Sequence, residues 1–201
     1  SGGNNTIVSG NNNDVINAST GVNNIDTGSG NDQITLTGGT NTVVTGNNND
    51  TVNASGGNND IDTDSGGDQV VLTGGTNDVN TGVGDDTVTL SGGTETVDMG
   101  SGDDTVEAAG NLSTSDTVNG GDGTGDTIEV TSALTDALTA RLSNFEILEI
   151  KGGGGLTHDV AGLTGLTSLK VSGSLTGAVV ITDLAEAVEV DISAAIGNDL
   201  T

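Results

Sequence analysis

The chain opens by counting in nines without a slip. From Gly2 to Ala109, twelve nine-residue units follow one another with no insertion or deletion. The sixth position of each is Ile or Val: Ile7, Ile16, Ile25, Ile34, Val43, Val52, Ile61, Val70, Val79, Val88, Val97 and Val106. A fixed period of this kind marks a solenoid. The fourth position alternates between two chemistries. Odd-numbered units carry Asn5, Asn23, Asn41, Asn59, Asn77 and then Glu95; even-numbered units carry Asp14, Asp32, Asp50, Asp68, Asp86 and Asp104. The true repeat is therefore eighteen residues built from two unlike halves.

Within one half-repeat, Ser29-Gly-Asn-Asp-Gln-Ile-Thr-Leu-Thr37, the alternation of Asp32, Ile34 and Leu36 with Gln33 and Thr35 has strand periodicity. The Ile or Val and its neighbour two positions on are expected to face inward. The Gly, Asn and Ser residues before each acid mark a turn that needs positive φ, and Asn11-Asn-Asn13 and Asn47-Asn-Asn49 place there the side chain that best tolerates it. Each unit is thus a turn plus a short strand, and two units make one flattened coil. The expected fold is all-β: a right-handed parallel β-roll or β-helix solenoid with 18-residue coils stacked about 4.8 Å apart. A core that thin suits Ile, Val, Leu and Ala, and the chain has a single aromatic residue, Phe145.

The chain has 29 acidic residues, three basic ones and a formal net charge of -26. Such a balance ordinarily signals disorder, but disorder gives no reason for an aliphatic residue at every ninth position. All three cations, Arg141, Lys151 and Lys170, lie beyond residue 140, so residues 1–109 hold sixteen carboxylates and no basic side chain. That surface repels nucleic acid and anionic membranes and attracts divalent cations. No apolar stretch is long enough to span a membrane, and no cysteine is present for disulfides or thiolate metal sites. No signal peptide opens the chain, which begins inside a repeat and ends abruptly; it has the look of a piece of a longer protein.

Stacking puts Asp14, Asp32, Asp50, Asp68, Asp86 and Asp104 in one column on the inner side of the turns. Carboxylates about 5 Å apart repel by roughly 3–4 kcal/mol per step at an effective dielectric near 20. A cation between successive turns relieves this directly, and carboxylate plus backbone carbonyl is the ligand set of Ca²⁺. The other column, Asn5 to Asn77, can hydrogen-bond amide to amide with no ion, so this edge is expected to be metal-free. Glu95 is expected to cap it or to face solvent.

Thr81-Gly-Val-Gly-Asp-Asp-Thr-Val-Thr89, Met99-Gly-Ser-Gly-Asp-Asp-Thr-Val-Glu107 and Thr27-Gly-Ser-Gly-Asn-Asp-Gln-Ile-Thr35 resemble the nonapeptide G-G-x-G-x-D-x-U-x of RTX proteins. Gly120-Gly-Asp-Gly-Thr-Gly-Asp-Thr-Ile128 is a looser match. The resemblance runs through the array and the transition as far as Val130. It implies a β-roll with Ca²⁺ held by the Asp side chains and turn carbonyls, here those of Gly30, Gly84 and Gly102. It extends the candidate ligands into the transition as Asp116, Asp122 and Asp126. The departure from the family lies in the alternate units, where Asn stands in place of the usual Asp.

After Ala109 the count of nines breaks. Residues 110–130 form a transition with one further RTX-like turn, and 131–201 a second segment. Ser132 is expected to cap a short helix carrying Leu134, Leu138 and Leu142 on one face. The phrases Asn144–Ile150, Gly165–Val171 and Leu184–Val190 echo one another, and Leu156–Val160 recurs as Leu175–Val179. Their spacing leads us to expect a continuing β-solenoid with 19–21-residue coils, with a separate β-sandwich as the alternative. These phrases resemble those of large RTX-type surface-layer proteins and secreted adhesins of Gram-negative bacteria, which implies type I secretion and a place outside the cell.

Nothing points to catalysis. His158 is the only histidine and is expected to be exposed and inert; no Cys nucleophile, G-x-S-x-G or zinc-binding His pair occurs. Three readings follow. The first is a calcium-dependent structural module of a surface-layer protein or adhesin, which self-associates or binds cell-surface polysaccharide through its parent. The second is a Ca²⁺-binding export and folding module of a secreted enzyme. The third is ice binding, which the mixed outward columns disfavour.

Overall fold

The computed structural model describes residues 3–152, 155–193 and, as backbone, 195–196. The chain winds into about ten coils; the first eight contribute one strand to each of two parallel sheets, and the last two contribute only to the second. The eight-stranded sheet takes Asn5–Val8, Val22–Asp26, Thr40–Val44, Asn58–Asp62, Thr76–Asn80, Thr94–Asp98, Thr117–Asn119 and Leu142–Ser143. The ten-stranded sheet takes Val15–Ala18, Gln33–Leu36, Thr51–Ala54, Gln69–Leu72, Thr87–Leu90, Thr105–Glu107, Thr127–Val130, Ile147–Lys151, Ser168–Ser172 and Glu189–Ile192. Within the array each strand residue pairs with the one eighteen positions on in the next coil, as Ile7 does with Ile25 and Val70 with Val88.

Ten of the twelve sixth-position residues are buried; Ile7 and Ile16, in the first coil, are only half-buried. Burying each aliphatic side chain is worth roughly 1.5–3 kcal/mol. On the ten-stranded sheet the inward neighbour two positions on is apolar, with Ala18, Leu36, Ala54, Leu72, Leu90 and Ala108 all buried. On the eight-stranded sheet it is Thr27, Thr45, Thr63 and Thr81, equally buried, and then Met99. One coil therefore has two unlike inner corners. At one, Thr meets Asp across the short turn between them; at the other, Leu or Ala meets Asn. Asn12 and Asn48 take φ of 82° and 80° in the acid-edge turn, as the sequence requires, and Asp64 takes 63° where the other coils have Gly.

The ten-stranded sheet runs on through the second segment, so the chain continues as a solenoid and does not form a separate sandwich. Its coils are longer than the sequence suggests in two places. Leu169 pairs with Val190 and Val171 with Ile192, so the phrase Leu184–Val190 enters the sheet two residues later than its likeness to Gly165–Val171 indicates. Likewise Leu156 pairs with Val179 and not with Leu175. These short strands, Leu156–Asp159 with Val179–Thr182, form a small third sheet, and Ser174–Leu175 pairs with Ala195–Ile196. The helix is a single turn, Asp136–Thr139, preceded by Thr135 in extended conformation with no side-chain cap. Leu134 lies before it and Leu142 in the strand after it, so the two Leu are buried as flanks of the turn and not as one helical face. Among the described residues no helix is long and apolar enough to cross a membrane.

Candidate metal centre

The acid column forms as a ladder between backbone and side chain. Oδ1 of Asp32 accepts the backbone N–H of Asp14 at 2.8 Å. Asp50, Asp68, Asp86 and Asp104 each accept from the preceding Asp at 2.7 Å, and Asp126 from Asp104 at 2.9 Å. Asp126 thereby joins the column across a lengthened coil. The column then gains a member that the sequence reading missed: Glu146 Oε2 accepts from the N–H of Asp126 at 3.1 Å. Its signal is positional. Glu146 stands two residues before buried Leu148, as each Asp stands two before its buried Ile or Val.

The second oxygen of every Asp carboxylate has no donor. Oδ2 of Asp14, Asp32, Asp50, Asp68, Asp86, Asp104 and Asp126 is buried and makes no hydrogen bond. The nearest hydroxyls belong to the Thr column, and each also reaches a carbonyl one coil on: Thr27 that of Thr45 at 3.1 Å, Thr45 that of Thr63 at 3.3 Å, Thr63 that of Thr81 at 2.9 Å and Thr81 that of Met99 at 2.6 Å. A hydroxyl has one proton, so the carbonyl and the neighbouring acid compete for it.

Burial accordingly pushes Asp50, Asp68, Asp86, Asp104 and Asp126 above the ordinary carboxylate range, Asp68 to about 6 and Asp104 to about 7. The Thr45, Thr63 and Thr81 hydroxyls beside Asp50, Asp68 and Asp86 moderate the rise. Asp104 has Met99 in that place, and neighbouring Asp86, Asp126 and Asp85 add repulsion.

The side-chain-free space at turn glycines lies between carboxylate and carbonyl oxygens. A methyl group built on Gly66 would stand 3.0 Å from Asp68 Oδ1 while colliding with the carbonyl oxygen of Asn48 one coil below. One built on Gly123 would stand 2.8 Å from both oxygens of Asp126 while colliding with the carbonyl of Gly102. Carboxylate and lower-coil carbonyl therefore converge at these turns. Gly30, Gly84 and Gly102 hold φ of 136°, 140° and 147° and pack directly on the backbone of the coil below. Among the described residues, no three His, Asp or Glu side chains converge on one point. A cation here would draw on one or two carboxylates and on carbonyls, and an all-oxygen donor set of that kind fits a hard divalent ion.

The remaining candidates fall elsewhere. Asp122 sits in the exposed middle column of the turns, opposite Ser101. Asp116 pairs with Glu95 and so continues the amide edge. On that edge the ladder runs in one direction. Asn5 Nδ2 donates to Asn23 Oδ1 at 2.6 Å, and Asn23 to Asn41, Asn41 to Asn59 and Asn59 to Asn77 each at 2.7 Å. The second amide proton of each goes to a local turn carbonyl, such as Gly38 for Asn41 and Gly56 for Asn59. Asn77 ends on Glu95 Oε1 at 3.2 Å. Glu95 is buried and caps the ladder; burial and the adjoining Asp116 push its carboxyl to about 7.

His158, expected at the surface, is fully buried, and both ring nitrogens are without a hydrogen-bond partner. Its signal is the alternation Leu156, His158, Val160 along a strand. Comparison of the chain with protein-family descriptions, with curated proteins and with solved structures found no match.

Proposed function

We propose that the chain is a calcium-dependent structural module of the RTX β-roll type, belonging to a secreted bacterial surface-layer protein or adhesin and acting without catalysis. The observation that carries this reading is the column of seven buried, donorless carboxylate oxygens in a region that has no basic side chain. An unpaired buried carboxylate is costly, and a repeat that builds the same one seven times in register has a use for it. Asp14, Asp32, Asp50, Asp68, Asp86, Asp104 and Asp126 are the residues that would hold calcium, with carbonyls of the acid-edge turns, among them Gly30, Gly84 and Gly102, completing the oxygen set. Bound calcium would supply the missing positive charge and tie each coil to the next, making a stiff rod suited to a lattice or a stalk. The Asn ladder satisfies its own donors and acceptors and needs no such help. Among the described residues the coils continue into a second segment with no acid ladder beyond Glu146, which favours a structural rod over a compact export and folding module of an enzyme. Export by type I secretion and attachment through self-association or surface polysaccharide follow from the same resemblance.

Calorimetric titration of the metal-stripped chain with Ca²⁺ tests the reading, with circular dichroism before and after chelation. Binding linked only to the folded coil stabilises it by mass action, by about 4 kcal/mol at a thousandfold excess over Kd. The expected result is saturable binding and a large drop in melting temperature on chelation. An unchanged melting curve and no heat of binding at millimolar Ca²⁺ would overturn it.

A further inference from the structure

The residue immediately before each column Asp differs between the two ends of the array. It is Asn13, Asn31 and Asn49 in the first three acid-edge turns, Gly67 in the fourth, and Asp85 and Asp103 in the fifth and sixth. This outer residue has a structural task, accepting a backbone N–H from the next coil. Asn13 performs it for Asn31 at 2.8 Å and Asn49 for Gly67 at 3.1 Å. Asp85 performs it for Asp103 at 3.0 Å and Asp103 for Thr124 at 3.3 Å. The amide does the work as well as the acid, so the hydrogen bond does not explain the carboxylates. They also carry a cost, since both stand beside inner acids that are already buried and unpaired. A third charge joins them: Asp122 occupies a middle-turn position that is Asn, Ser or Val in every earlier coil. Asp85, Asp103 and Asp122 line one shallow depression with Gly102, Gly123 and Thr124. Beside Gly123 of that lining, Asp126 is fully buried with a donorless Oδ2, and its two oxygens share the space there with the Gly102 carbonyl.

We infer that affinity for calcium is graded along the acid edge, and that the turns between Asp85 and Asp126 fill before those between Asn13 and Asn49. The inference rests on the calcium reading above and adds an order of occupancy to it. The outer carboxylates act by field as much as by contact: one roughly 7 Å from a divalent ion in a water-like dielectric changes affinity about sevenfold at low salt. Charge that is surplus to the fold is thus placed where the array joins the second segment.

The test uses the whole chain, with hydrogen exchange read segment by segment during a Ca²⁺ titration. Protection over residues 82–107 is expected at a Ca²⁺ concentration several-fold lower than over residues 9–36, with the gap narrowing as salt is raised. The double variant Asp85→Asn, Asp103→Asn keeps the outer hydrogen bonds and is expected to bring the two midpoints together. Asn13→Asp with Asn49→Asp is expected to lower the midpoint of the first turns. Equal midpoints in the unaltered chain, or a gap that survives the double variant, overturn the gradient while leaving calcium binding intact. Absence of any Ca²⁺ effect overturns the underlying reading and the gradient together.

Discussion

Glu107, Glu129 and Glu149 stand in consecutive register on the outer face of the ten-stranded sheet, a column of like charges that would be destabilising alone. Lys151 answers it with a 2.6 Å ion pair to Glu129, and Lys170 pairs opposite Glu149 in the next strand. The inner edge of the array holds a longer column, buried, with no basic side chain anywhere before Arg141 to answer it. The same electrostatic problem therefore has an internal solution in the second segment and none in the array. The interiors differ in the same sense. In the array most buried polar side chains make a hydrogen bond to the equivalent position one coil away, so regular coil length is itself the source of hydrogen bonding. In the second segment coil length varies from one step to the next, as the pairings of Val118 with Leu142, Ile128 with Leu148 and Leu148 with Leu169 show. Among the described residues no ladder extends there beyond Glu146, and the core is filled by Phe145, Leu134, Leu148 and Leu169. A stacked interior tolerates polarity only while its period holds.

Glycine substitutions should separate the two regions most strongly. Gly84 has φ of 140°, and a Cβ there would overlap the carbonyl oxygen of Gly66. Gly155 has φ of 74° with nothing within 4 Å of the same point. Gly84→Ala is expected to cost more than about 3 kcal/mol, because backbone strain and a backbone collision add. Gly155→Ala should cost about 1 kcal/mol, the left-handed penalty alone. Chemical denaturation of both variants checks the difference; similar losses would show that coil-to-coil contact is looser than the packing implies.

The amide ladder should be next. Asn59→Leu removes the acceptor for Asn41 and the donor to Asn77 in a buried site, with an expected loss of about 2–4 kcal/mol from two orphaned groups. Asn144 is an exposed amide at the seam with the second segment, in left-handed backbone. Asn144→Leu should cost about 1 kcal/mol, most of it the backbone penalty. Equal effects in thermal unfolding would mean that the ladder holds register but contributes little stability.

Much of this contrast was legible in the sequence, and for one reason: where residues repeat at fixed spacing, position in the chain is position in space. The Asp column, the Asn ladder and the left-handed Asn12 and Asn48 all follow from counting. The Thr27 to Thr81 column obeys the same count, yet threonine is as common on an outer strand face as within, and only the turn geometry shows that it faces Asp. Glu146, His158 and the late entry of Glu189–Ile192 into the sheet lie where the period fails. There a strand can slip by two residues without changing which side chains face inward, so apolar pattern alone cannot fix the register.

Acid should move the two regions in opposite directions, by smaller amounts. Burial raises Asp50, Asp68, Asp86, Asp104 and Asp126, so without metal the folded array binds more protons than the unfolded chain between the ordinary value of 3.8 and about 6–7. Its stability therefore rises as pH falls through that window. His158 is lowered by burial from 6.5, so the folded second segment binds fewer protons. Its stability is retained above 6.5 and declines as pH drops below it. Segment-resolved hydrogen exchange in chelator at pH 7.5 and pH 5 should show the array gaining protection while residues 156–182 lose it. His158→Leu removes two partnerless nitrogens from a site with no compensating bonds and should abolish the loss at pH 5, stabilising the segment by about 1 kcal/mol at neutral pH. If the variant instead weakens the segment at both pH values, His158 has a partner in solution, and the opposition between the two regions rests on the array alone.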